Sequence, residues 1–127
     1  MTTTMWRLPV PATRVTSHRF VQVGGRHCEL TVVVLDDDDT EKSFVIAFDG
    51  VEAFRCTYLT SLTAEMVKSA YGKLVRQEAS SWLEEVLQAY SAYYESSGRS
   101  PERLMHTIIC LDDGPCYEVI CTSLALP

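Results

Sequence analysis

Apolar residues follow two rhythms along the chain, a near-alternating one over most of its length and a helical one in two stretches. Val15, Phe20, Val21 and Val23 lie before Gly24-Gly25, and Cys28, Leu30, Val32, Val33, Val34 and Leu35 lie after it. Two β-rich runs joined by a glycine pair predict a hairpin over residues 15–23 and 26–35. Ser43–Phe48 and Val51–Tyr58 flank Asp49-Gly50, a strong type I′ signal, and predict a second hairpin. The best-specified element is His106–Leu124, where HTIICL and CYEVICTSL flank the turn residues Asp112-Asp113-Gly114-Pro115. In its second run Cys116, Glu118, Ile120 and Thr122 share one face, and Tyr117, Val119 and Cys121 the other. Both faces are mainly apolar, as in strands of a covered sheet.

The helical rhythm appears first over residues 60–70. Thr63 can cap, Glu65 sits in the first turn, and Leu62, Met66, Val67 and Ala70 recur near helical spacing, with Gly72 beyond the end. Residues 73–78 (KLVRQE) read as a brief strand or a connector. A longer helix is predicted over Ser80–Glu95, with Ser81 and Glu84 as a capping box and Trp82, Val86, Leu87, Tyr90, Tyr93 and Tyr94 as its apolar stripe. Ser96–Gly98 ends it, and Ser100-Pro101-Glu102 predicts a further short turn to Met105.

These elements predict an α+β fold: one antiparallel sheet of six or seven strands built from three hairpins, with one long and one short helix on one face. Tight hairpin linkers leave too few residues for the crossovers that a parallel sheet requires. Residues 1–14 are expected to be an irregular N-terminal arm, and residues 15–127 a single α+β domain.

Composition narrows the class. Eleven basic and 17 acidic residues give a net charge of −6, which repels nucleic-acid backbones and favours a basic protein partner. No apolar run approaches the ~20 residues of a membrane span, and the first residues lack a secretory-signal pattern. A cytoplasmic location is the expectation. The five cysteines (Cys28, Cys56, Cys110, Cys116 and Cys121) have no CxxC spacing and lie in apolar runs, so all are expected to be reduced.

Candidate chemistry is sparse. Asp36–Asp39 groups four carboxylates but lacks the alternation, the glycine and the distal glutamate of a calcium loop, so it reads as a solvated, edge-protecting loop. His106 and Cys110 share a strand face, and with Cys116 or Cys121 could form a zinc site or a Cys–His nucleophile. Their apolar neighbours favour core thiols instead. Asp112-Asp113-Gly114 is what a turn needs, and no phosphate-loop, dinucleotide or hydrolase-elbow motif occurs. No catalytic residue, metal site or cofactor is therefore assigned.

Three stretches, FDGVEAFRCTYL (48–59), KLVRQEASSWLEEV (73–86) and HTIICLDDGPCYEVICTSL (106–124), resemble a loose group of small uncharacterised bacterial proteins, over about residues 43–125. Some of that group are suspected immunity proteins of toxin systems, and the resemblance implies a non-enzymatic inhibitor. The first expectation is thus a protein-binding domain that meets a basic partner through Asp36, Asp37, Asp38 and Asp39, with Tyr93 and Tyr94 at the interface. The alternative is a small-molecule-binding or hydrolytic domain with a pocket near His106 and Cys110. A structural homodimer is the third reading.

Overall fold

The computed structural model describes residues 1–98, 103–112 and 114–127. The fold is α+β, with two α-helices and, among the described residues, nine strands in two antiparallel sheets. The strands are β1 (Thr2–Arg7), β2 (Val15–Gly24), β3 (His27–Leu35), β4 (Glu41–Asp49), β5 (Ala53–Tyr58), β6 (Lys73–Gln77), β7 (Met105–Cys110), β8 (Pro115–Cys121) and β9 (Ser123–Ala125). The helices are α1 (Ala64–Ala70) and α2 (Ser81–Ser97). One sheet runs β1-β6-β7-β8-β5 and the other β2-β3-β4-β9.

The expected single sheet of six or seven strands is therefore replaced by a two-sheet sandwich with helices outside. Between the sheets lies an apolar core in which Leu30, Val32, Ile46 and Phe48 of one sheet meet Leu74, Ile109, Val119 and Cys121 of the other. On its opposite face the five-stranded sheet meets the helices: Val75, Ile108 and Cys110 lie under Ala70 and Met66 of α1, and Ile120 under Tyr90 and Val86 of α2. Both faces of β7 and β8 are covered, which is why both of their residue sets are apolar.

The first and third hairpins form as pairs β2–β3 and β7–β8. In the first, the turn's central residues are Gly25 and Arg26, both at positive φ, one position later than the glycine pair implies. The second hairpin does not form. β4 pairs with β3 and β9, and β5 pairs with β8, so Asp49-Gly50 is a corner between sheets. Thr122 makes the matching corner between β8 and β9, and its N–H and hydroxyl both donate to the Asp49 carbonyl at 3.1 Å. An aspartate followed by a left-handed glycine, here Gly50, suits a sheet-switching bend as well as a hairpin, and only the competition for partners separates the two.

The arm also differs from expectation. Residues 2–7 are β1, an edge strand paired with β6, with Trp6 against Phe44 of the opposite sheet. Three threonines and a tryptophan suit a strand, but their polarity hid it. The 73–78 run is β6, a strand rather than a connector. The α2 cap is Ser80, not Ser81: its Oγ accepts the Leu83 N–H at 3.0 Å, and Gly98 closes the helix in the left-handed conformation. The turn proposed at Ser100-Pro101-Glu102, and Asp113 of the third turn, lie outside the described residues.

Cys110 and Cys116 stand directly opposite each other across β7 and β8 and form a disulfide, which corrects the expectation of five reduced thiols. That register could not be read from their spacing alone. Cys28 and Cys121 are free and buried, and Cys56 is free and exposed.

The corner at Gly50 gives a test. Gly25 and Gly50 both have positive φ, but a Cβ at Gly25 meets nothing within 4 Å, whereas one at Gly50 would collide with Thr122 Oγ1. Gly25→Ala should cost about 1 kcal/mol through backbone strain alone. Gly50→Ala should cost a further ~1–3 kcal/mol from the collision. Urea midpoints of the two variants check this, and equal midpoints would remove the corner from the account.

Candidate functional site

The polar heart of the molecule lies on the helix-facing side of the five-stranded sheet. Glu118 of β8 is 1% exposed, and a carboxylate that deep must be paired to be tolerated. Strand register supplies the partners. Arg55 of β5 stands directly opposite and donates twice, from Nε at 2.7 Å and Nη2 at 3.1 Å. On the other side β7 places His106 one diagonal away, with Nε2 2.9 Å from Glu118 Oε1. The second ring nitrogen, Nδ1, lies 2.7 Å from Oγ of Ser80, the cap of α2.

A carboxylate accepts only, so Nε2 carries the proton it donates, and in the neutral ring Nδ1 is left to accept the Ser80 hydroxyl proton. Trp82, two residues into the same helix start, packs edge-on to His106 with ring centres 5.1 Å apart. The Arg55 guanidinium carbon lies 4.1 Å over the Trp82 ring. Four elements therefore converge on one cluster: β5, β7, β8 and the start of α2. Every buried side-chain polar atom among the described residues has a hydrogen-bond partner.

Burial is the largest influence on the Glu118 carboxyl and pushes its pKa up. The hydrogen bonds from His106 and Arg55, aided by the Arg55 charge, outweigh burial and hold it below the ordinary glutamate value. Glu118 is thus an anion in the folded protein near neutrality.

The cluster opens onto a cavity of about 390 Å³ between α1, the start of α2 and the sheet. Arg55, Ser80 and His106 line it with Trp82, Met66 and Ile108. The size falls within the range of ordinary small-molecule sites. His106 is at the cavity wall, whereas Cys110 is not among the lining residues and is held in its disulfide. The two pocket candidates share a face but not a site. A thiol nucleophile at Cys110 is ruled out by that bond, and burial pushes the free thiols of Cys28 and Cys56 up and that of Cys121 to about 12.

The partner-binding candidates lie elsewhere. Asp36–Asp39 forms the β3–β4 turn, in which Asp36 Oδ1 accepts the N–H groups of Asp38 and Thr40. Asp36 is also paired with Lys42 at 2.9 Å, and Asp39 with Arg14 at 2.8 Å. Hydrogen bonding with Asp38 and Lys42 holds the Asp36 carboxyl well below the usual range. Two of the four charges are therefore already countered by basic residues, Lys42 on the adjoining strand and Arg14 distant in sequence. Tyr93 is exposed, and Tyr94 is partly buried against the α2 core.

Residue patterning did not single out Arg55, Ser80 or Glu118 as site residues. One signal was present, a lone glutamate between Cys116 and Ile120 on a strand face at even spacing from His106. Its partner Arg55 was hidden by the false β4–β5 hairpin.

Among the described residues no group of three or more His, Cys, Asp or Glu side chains is placed to hold a metal ion, and no helix is long and apolar enough to cross a membrane. No protein-family model, curated protein or solved structure matches the chain. Fold and site together define a class only: an α+β sandwich with a buried Glu–His pair bonded to a more exposed arginine and serine at a small cavity.

Glu118 gives a pH-dependent prediction. Its folded pKa is depressed, so its stabilising contribution is complete above the ordinary glutamate value and is lost as pH falls through the folded value. Glu118→Gln should cost about 2 kcal/mol at pH 7, the worth of hydrogen bonds to a charged group. The gap between the parent and Glu118→Gln should narrow only below a pH of about 4.5, the ordinary value for this group. Urea unfolding of both proteins across acidic pH checks it, and a constant gap would mean that Glu118 is not held as an anion.

Proposed function

We propose that the chain binds a small, partly apolar molecule in the cavity beside His106. The observation that carries this reading is the convergence of Arg55, Ser80 and His106, from three separate elements, on a cavity whose other walls include Trp82, Met66 and Ile108. Mixed lining with a few placed polar groups is the usual composition of a ligand site. A polar network needed only for folding would be complete if sealed, whereas this one presents half-exposed Arg55 and Ser80 to open space.

A second reading, an immunity-type domain engaging a basic protein, is supported by the net charge of −6 and by the exposed rings and carboxylates of Tyr93, Asp37 and Asp38. It draws less support, because Asp36 and Asp39 are neutralised within the fold by Lys42 and Arg14.

The test uses Trp82 as its reporter. In Trp6→Phe, Trp82 is the sole tryptophan, and short-chain carboxylic esters, amides and acids are titrated against its fluorescence. At least one should give a saturable change that is lost in the further variant Ser69→Phe, which fills the cavity from α1. A folded protein that responds to none of the panel would overturn the pocket reading.

A further inference from the structure

We propose that Ser80 is the nucleophile of a carboxylic-ester hydrolase, with His106 as its general base and Glu118 as the residue that positions His106. This inference rests on the pocket reading above. Its warrant is a hydrogen-bonded line of three groups: Ser80 Oγ to His106 Nδ1 at 2.7 Å, and His106 Nε2 to Glu118 Oε1 at 2.9 Å. A nucleophile within hydrogen-bond reach of a base, with the base oriented by a third group, is the general arrangement for activating a serine.

Neither a helix cap nor a core histidine demands this line. The capping duty of Ser80 is met by the Leu83 N–H alone, and that bond uses one lone pair and leaves the hydroxyl proton free. That proton is directed to an imidazole whose other nitrogen is tied to a fully buried carboxylate. Trp82 at one ring edge and Arg55 across Glu118 hold the arrangement in place. The serine end of the line, not the glutamate end, is the half-exposed one, and Ser80 lines the cavity.

The chemistry follows from those positions. Ser80 Oγ attacks the ester carbonyl carbon and forms a C–O bond, the carbonyl electrons move to oxygen, and the hydroxyl proton passes to His106 Nδ1. Glu118 stabilises the resulting imidazolium and keeps Nε2 protonated without taking the proton itself. The developing oxyanion sits near the positive end of α2, where the first-turn N–H groups of Ser81 and Trp82 are not used by the helix itself. Collapse breaks the bond to the alkoxy group, which leaves with the proton from Nδ1 as an alcohol. Water, deprotonated by the same nitrogen, then attacks the acyl–Ser80 carbon, and the carboxylic acid departs as Ser80 regains its proton. Ester plus water becomes acid plus alcohol, with no change of oxidation state.

Charge and size set the substrate class. The Arg55 charge is taken up by Glu118 and Glu65 adds a carboxylate to the wall, so the lining side chains disfavour an anionic substrate such as a phosphoester. Met66, Ile108 and Trp82 suit a short hydrocarbon portion, and about 390 Å³ limits its length. The substrate is therefore an uncharged ester with a short acyl chain.

The test uses the full chain, a biotinylated fluorophosphonate and p-nitrophenyl butyrate. Peptide mapping should place the fluorophosphonate on Ser80. Ser80→Asn keeps a good capping acceptor but no nucleophile, and it should lose the label while retaining its helical circular dichroism. His106→Gln should slow ester turnover about 100-fold or more, the worth of a general base. Glu118→Gln should lower kcat and leave KM within about two-fold, since it acts through His106 and not on the substrate. An unlabelled parent protein, a label on another serine, or a label persisting in Ser80→Asn would each overturn the assignment. Butyramide, which is not turned over readily, separates the two readings in the Trp6→Phe background. If it shifts Trp82 fluorescence while Ser80 stays unlabelled, the pocket stands and the catalytic role falls; if neither it nor any other member of the panel shifts the fluorescence and no label appears, both fall.

Discussion

A carboxylate buried inside a sheet face dictates much of this molecule. Glu118 can stay ionised there only because Arg55 and His106 reach it from the strands on either side, and a one-residue slip of β5 or β7 would remove one of them. The ion cluster therefore specifies register as well as charge. It also ties α2 to the sheet, since the cap residue Ser80 is held by His106 and the next turn by the packing of Trp82. Breaking the cluster would loosen strand pairing and helix docking together.

The two faces of the five-stranded sheet divide the labour. The inner face packs against the second sheet through a largely apolar core, whose few polar groups bond locally, Thr107 to the Val119 carbonyl and Tyr117 to His18. Freed from that task, the helix-facing side accommodates a charged cluster and a cavity. The sheet-switching corners at Gly50 and Thr122 make this possible, because they send β5 to the edge of one sheet and β9 to the edge of the other. Without them β4 and β5 would pair, and Arg55 would not stand opposite Glu118.

Surface charge tells a different story from buried charge. The aspartate turn looks like a concentrated acidic patch in one dimension, yet Lys42 and Arg14 reach it across strands and leave a smaller net field. His27 is likewise held between Glu29 and Asp49, and those two carboxylates raise its pKa. Exposed pairs of this kind contribute little stability each, but they redistribute the charge that a partner would meet.

Local pattern alone determined the α+β class, the antiparallel pairing, the first and third hairpins and the long helix. Each depends on contacts between near neighbours: a positive-φ turn, a cap, an apolar stripe at helical spacing. Even there the cap is Ser80 and not Ser81, because Ser80 is the residue with extended backbone before the first turn and an Oγ that accepts the Leu83 N–H. Tertiary structure alone decided the second sheet, the fate of Asp49-Gly50 and the strand at Thr2–Arg7. Each is a competition between distant segments for the same strand edge, and the local signal at Asp49-Gly50 is identical whichever partner wins. The site belongs to this second kind. Arg55, Ser80, His106 and Glu118 span 63 positions from first to last bond partner, and only the register of β5, β8 and β7 brings a charge, a ring and a hydroxyl within hydrogen-bond reach.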